Sequence, residues 1–172
     1  MRALLALIDR LSLAAAIVAA ACLALLAVAI LAEVIAVTVF NRSLEFTWEA
    51  AAFLMSSAFF LGLGYTLNSG GHVRVNLLYE LLPSALRPAI EIAATVVGLA
   101  IALFLTSAIG TLAINSLLDG SRTFTATATP LAIPQGIAAL GAALLSLQLF
   151  ARLVRLWTGE PADSVPTEGA DV

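Results

Sequence analysis

Residues 42–76 read R-S-L-E-F-T-W-E-A-A-A-F-L-M-S-S-A-F-F-L-G-L-G-Y-T-L-N-S-G-G-H-V-R-V-N. Informative polar side chains gather at the two ends of this stretch. Arg42, Glu45, Trp48 and Glu49 stand at its start, and His72, Arg74 and Asn76 at its finish. Residues 50–67 between them carry no charge. As a helix they would rise about 27 Å, close to the thickness of a bilayer's hydrocarbon core. The Asn68-Ser69-Gly70-Gly71 run then supplies the stop that short polar residues and paired glycines give a helix. An apolar helix with polar groups at both ends is the pattern of a membrane crossing. It sets the fold class for the whole chain: an all-α integral membrane protein.

Composition agrees. The chain has 172 residues, of which 62% are apolar and 11% charged, and its mean hydropathy is +1.06. Soluble domains carry about a quarter charged residues. Net charge is −3, there is no lysine, and the eight arginines stand singly, so no basic patch for nucleic acid exists. The one cysteine, Cys22, lies in an apolar run and reads as a small packing residue. The one histidine, His72, cannot form a bis-His haem site by itself, and no cluster has the spacing of zinc ligands.

Four spans are expected, at about residues 11–39, 48–68, 88–118 and 131–157, within a membrane domain covering 1–157. The uncharged run from Leu11 to Ala32 would rise about 33 Å, too long for the core of a cleaved signal. The lead before it, with Arg2, Asp9 and Arg10, either lies on the membrane surface or extends the first helix. Ala16, Ala20 and Ala24 form a small-residue ridge suited to close helix approach, as does the Ala58-xxx-Gly62 pair in the second span. Glu33 belongs near an interface with a polar partner, since a carboxylate at mid-bilayer costs several kcal/mol or more.

Thr47 is placed to cap the second span, Glu49 to meet its positive end, and Trp48 to settle at headgroup level. Residues 73–82 divide into apolar and polar faces, which predicts a short helix lying in the interface. Glu91 falls in the first turn expected for the third span. Residues 119–130 alternate threonine with apolar residues, the pattern of an extended loop. Arg152, Arg155 and Trp157 would end the fourth span at an interface. Residues 158–172 hold proline and carboxylates with no basic residue and read as a disordered tail. With a cytoplasmic N-terminus, the inner segments hold six arginines and the outer loops only Arg42 and Arg122. The positive-inside rule therefore places both termini in the cytoplasm.

No nucleophile–base pair, paired carboxylates or phosphate-binding loop is present, so the reading is not an enzyme. The mid-span residues also lack the broken helices and polar groups of a self-sufficient secondary transporter. Four spans, the Trp48-Glu49 start of the second, His72-Val73-Arg74-Val75 after it, Arg42, and the Pro130 to Pro134 run at the fourth are in the order and spacing of one family. Across about residues 5–157 the chain resembles the small permease subunit of TRAP transporters, the DctQ type. It departs from the common pattern at Ala50 and Asn76, where acidic residues are often found.

The resemblance implies a non-catalytic subunit in a bacterial inner membrane, without cofactors of its own. Its partners would be a large TRAP permease subunit, a periplasmic substrate-binding protein and membrane lipids. The complex would import organic acids by sodium symport, with sodium coupling in the large subunit. This chain would enlarge the fixed scaffold and help dock the binding protein. Arg42, Glu45, Trp48, Glu49, His72, Arg74 and Asn76 would be the partner-contact residues. Two other readings stay open: a self-contained homo-oligomeric transporter or channel, and a membrane anchor for an enzyme complex.

Overall fold

The structure is a computed structural model that describes residues 2–70, 86–125 and 127–158. The chain forms α1 (Arg2–Phe40), α2 (Phe46–Asn68), α3 (Arg87–Leu118) and α4 (Ala132–Thr158). All four are long and apolar enough to cross a membrane. The expected all-helical membrane fold is thus what the chain adopts. The expected interfacial helix at 73–82, together with His72, Arg74 and Asn76, lies outside the described residues, as does the tail beyond Thr158.

The helices are arranged more as a row than as a closed bundle. α1 packs on α2, α2 on α4, and α4 on α3, while α1 touches α4 only lightly. The connections from α1 to α2 and from α3 to α4 lie at one end, here the hairpin end. The start of α1 and the finish of α4 lie at the other, the terminal end.

Lipid tails are as apolar as leucine, so helices in a membrane gain little by hiding apolar surface from one another. Close packing and polar bonds must hold them. The tightest approach is between α2 and α4. A Cβ added at Gly141 would lie 2.5 Å from the backbone carbonyl of Phe60. The fully buried Ala142 follows it. Where α1, α2 and α4 converge, a Cβ on Gly64 would lie 3.2 Å from Ser12 Oγ and 3.6 Å from the backbone of Leu144. Gly136, earlier in the same helix as Gly141, has open space where a Cβ would go. Two small apolar cores complete the packing: Leu5, Ile8 and Ala151 at the terminal end, and Leu67, Ala102 and Leu149 among α2, α3 and α4.

The lead takes the second of its two expected forms and extends α1 unbroken from Arg2 into the span. Two other local expectations about α1 and α2 are corrected. The packed stripe of α1 is Leu5, Ile8, Ser12, Ala15 and Ala19, not the Ala16–Ala20–Ala24 ridge, of which Ala20 and Ala24 are exposed. One residue is about 100° of helix rotation, and Ser12 is held inward by a polar contact described below. Thr47 does not cap α2. That helix starts at Phe46 with Glu45 as the N-cap and no side-chain cap bond, and the buried Thr47 hydroxyl has no hydrogen-bond partner.

Two helices stop on glycine in the left-handed region. Gly120 (φ 63) ends α3, with the Ser121 amide donating to the Ser116 carbonyl and the Gly120 amide to that of Leu117. This is the bond pair of a Schellman stop. Gly70 (φ 70) follows α2, its amide donating to the Leu67 carbonyl. Asn41 (φ 52), a residue type that tolerates this conformation, turns the chain after α1.

Gly141→Ala would push the Phe60 backbone and should destabilise the protein by about 1–3 kcal/mol. Gly136→Ala should leave stability unchanged or slightly raised. Thermal unfolding of the two variants in the same detergent checks this pair of outcomes.

Candidate functional site

The polar side chains of the helices collect into clusters toward the two ends of the row. At the terminal end, Arg155 is 6% exposed despite its charge. Its Nη2 donates to both carboxylate oxygens of Asp9, at 2.6 and 2.8 Å, and its Nη1 to Asn68 Oδ1 at 3.1 Å. One guanidinium thereby ties α4 to α1 and α2. About two turns earlier on α4, Gln148 is 1% exposed. Its Nε2 donates to Ser12 Oγ at 2.9 Å and approaches Asp9 Oδ1 at 3.2 Å. Ser12 is fully buried. Between Gln148 and Arg155 on α4, Arg152 donates to Glu91 of α3 at 2.9 Å. Arg155 thus stands in the last turn of α4, as expected, but its guanidinium is engaged inside the protein. Glu91 is not in a first turn, because α3 starts four residues ahead of it and uses Pro88 there.

This cluster was missed in the sequence, although a signal for it exists. Gln148, Arg152 and Arg155 are spaced four and three residues apart, so they share one side of a helix, and Asp9 and Ser12 do the same on α1. A third polar contact lies further along the α3–α4 interface. There the hydroxyls of Thr106 and Ser146 meet at 3.2 Å, and each also donates to its own helix's carbonyl four residues back.

At the hairpin end, Glu33 reaches past the last turns of α1. It accepts from Ser43 Oγ at 2.5 Å and from the Leu44 amide at 2.9 Å. The carboxylate thus holds the α1–α2 connection, as its expected interfacial position required. Glu49, in the first turn of α2, accepts from three threonines of the α3–α4 loop. Thr123 donates at 2.8 Å to Oε1, and Thr125 and Thr127 both donate to Oε2.

The loop is shaped for this. An antiparallel bridge pairs Arg122 with Pro130, the Leu131 amide donates to the Ser121 carbonyl, and the Thr123 amide to the Thr129 carbonyl. The loop is not the extended chain expected from its alternation: the Ala128 amide donates to the Thr125 carbonyl and folds the loop back on itself, which brings the threonine hydroxyls together. The hydroxyl pairs Thr123–Thr125 and Thr125–Thr127 are 2.9 Å apart, a hydrogen-bond spacing. Beside the cluster opens a cavity of about 260 Å³ lined by Phe46, Glu49, Ala50, Phe53, Thr127 and Thr129.

Of the residues singled out in the sequence, the structure brings Arg42, Glu45, Trp48 and Glu49 to the hairpin end. Arg42 and Glu45 are exposed. Trp48 is 74% exposed, with Phe40, Phe46 and Phe124 also exposed at this end. Only Glu49 is engaged within the chain. Among the described residues no group of three or more histidine, cysteine or acidic side chains could hold a metal.

Removing one partner of a buried ion pair leaves the other charge uncompensated. Arg155→Met should cost about 3 kcal/mol, and the double variant with Asp9→Asn should recover part of that loss. A double-mutant cycle on unfolding in mild detergent measures both. Glu49→Ala should free the 121–131 loop, seen as several-fold faster hydrogen exchange at the Thr123 and Thr129 amides, with α1 unchanged.

The whole of this geometry except the first two-thirds of α1 falls within one family match. The profile for the DctQ component of tripartite ATP-independent periplasmic transporters matches residues 26–159. No curated protein and no solved structure matches. The match extends from the middle of α1 to the end of α4 and takes in both polar ends of α2, and on that extent the chain belongs to the DctQ component family of tripartite ATP-independent periplasmic transporters.

Proposed function

We propose that this chain is the non-catalytic small permease subunit of a sodium-coupled TRAP importer of organic acids, a scaffold for the large permease and a docking aid for the periplasmic binding protein. It would sit in a bacterial inner membrane with both termini in the cytoplasm, so that the hairpin end faces the periplasm. Six arginines against two favour that orientation.

The observation that carries the scaffold role is the state of the carboxylates. Among the described residues the helices hold four: Asp9, Glu33, Glu49 and Glu91. Each is held by a partner in this same chain: Arg155, the Ser43–Leu44 connection, the threonine loop and Arg152 respectively. A subunit that carried ions would keep an acidic group aimed into a pathway. Here every helical carboxylate ties one element to another. Rigidity is what a fixed support needs while a neighbouring transport domain moves. The exposed Arg42, Glu45 and Trp48, unengaged within the chain, are then available at the periplasmic end to proteins outside it.

The test is purification of the tagged chain from membranes that also make the large permease and the binding protein. Co-purification in mild detergent is expected, and uptake should require this chain. Arg and Trp dominate the energetics of protein interfaces, so Arg42→Ala or Trp48→Ala should weaken assembly or uptake by about tenfold. Membrane insertion should stay normal. Uptake that persists without the chain, or a wild-type chain that never co-purifies, would sink the proposal. Transport by the purified chain alone in liposomes would favour a self-contained transporter instead.

A further inference from the structure

Glu49 differs from Asp9 and Glu91 in what neutralises it. Those two carboxylates face arginines. Among the described residues no arginine pairs with Glu49. Arg122, the basic residue of the loop that folds onto it, donates instead to the Ala128 carbonyl at 3.2 Å. Glu49 thus keeps its charge with hydroxyls alone around it. It stands in the first turn of a span, where water thins out and an uncompensated charge is costly.

The cluster is also short of protons. Each threonine hydroxyl has one, and those of Thr123, Thr125 and Thr127 all go to the carboxylate. The hydroxyl oxygens nevertheless stand 2.9 Å apart in the Thr123–Thr125 and Thr125–Thr127 pairs. Both of these contacts then have an acceptor at each end and no proton between them. A metal ion would bring positive charge but no proton. An ammonium group brings both.

The cavity beside the cluster gives such a group a place. Its volume of about 260 Å³ is room for a small organic headgroup. Phe46, Ala50 and Phe53, four and three residues apart on one side of α2, line it together with Glu49, Thr127 and Thr129. Aromatic faces attract organic cations. The exposed Trp48 next to Glu49 marks the level as that of lipid headgroups.

We propose that this cavity holds a primary ammonium group, that of an aminophospholipid headgroup in the leaflet at the hairpin end. The ammonium pairs with Glu49, and its N–H groups supply the donors that the threonine oxygens lack. The apolar part of the headgroup rests on Phe46 and Phe53. The loop is then tied to α2 through the lipid as well as directly.

The test uses the full chain alone in nanodiscs with matched acyl chains. They contain either phosphatidylethanolamine or phosphatidylcholine, whose quaternary ammonium has the charge but no N–H. The Thr123 amide donates to the Thr129 carbonyl and the Thr129 amide to Thr123 Oγ1. Hydrogen exchange at these two amides should be several-fold slower with phosphatidylethanolamine. Glu49→Gln should abolish the difference between the lipids. Ala50→Leu fills the cavity while leaving the Glu49 carboxylate in place, and it should abolish the difference too, which keeps the test decisive where Glu49→Gln fails to fold. Free ethanolamine, added to phosphatidylcholine nanodiscs at the concentration of the lipid, should give no slowing. Slowing equal to the lipid's would overturn the lipid source and leave a site for a free amine. Equal exchange in the two lipids, or a difference that survives either substitution, would overturn the proposal. Slowing by sodium chloride relative to choline chloride would overturn it as well, in favour of a metal ion.

Discussion

One guanidinium fixes much of this protein. Arg155 reaches Asp9 and Asn68 together and so ties three of the four helices at one level. In water such a pair is weak evidence of stability, because desolvating two charges offsets most of their attraction. In a membrane the comparison changes. The apolar faces of the helices gain little from meeting one another, so a bond that only one arrangement can make selects that arrangement. Gln148 repeats the choice about two turns away by holding Ser12. Two polar contacts on one side of α1 set the rotation of a helix that is otherwise nearly featureless.

The packing of α1 follows from that rotation. The ridge of Ala16, Ala20 and Ala24 is a good close-approach surface by composition, yet the chain does not use it. Holding Ser12 inward brings Ala15 and Ala19 to α2 and turns Ala20 and Ala24 outward. Small residues permit approach without specifying it. The same holds for the glycines: Gly141 meets the Phe60 backbone, whereas Gly136, in the same helix, meets nothing. What distinguishes them is their place relative to α2, which no local property of the sequence records.

The division between what the sequence shows and what it hides is therefore physical. Helix number and class were legible because length and apolarity suffice to identify a crossing. Glu33 was legible because a carboxylate in an apolar run has few acceptable positions. The threonine segment was legible as a loop, but neither its fold-back between Thr125 and Ala128 nor its purpose was. Only the tertiary fold supplies Glu49 for Thr123, Thr125 and Thr127 to meet. Thr47 was misread because a hydroxyl one residue before Trp48 looks like a cap, while Glu33's grip on the Ser43–Leu44 connection lets α2 start earlier without one. Arg155 was legible as the end of a span but its engagement was not, because arginines there ordinarily reach for headgroups. Its partner is remote in sequence, on the first helix.

A row of helices differs from a bundle in what it leaves open. In a closed four-helix bundle each helix has two neighbours, and the outer surface is one continuous lipid face. Here α1 and α3 each have one main neighbour, and the row keeps two long flanks. A subunit built this way extends the width of whatever it joins. The polar ties are at the interior seams and at the ends: Arg152 with Glu91 and Thr106 with Ser146 hold α3, and Arg155 with Asp9 holds α1. Rigidity inside the row and openness along its flanks suit a support more than a carrier. A carrier must change the relative position of its own helices, and each carboxylate tie would have to break for that to happen.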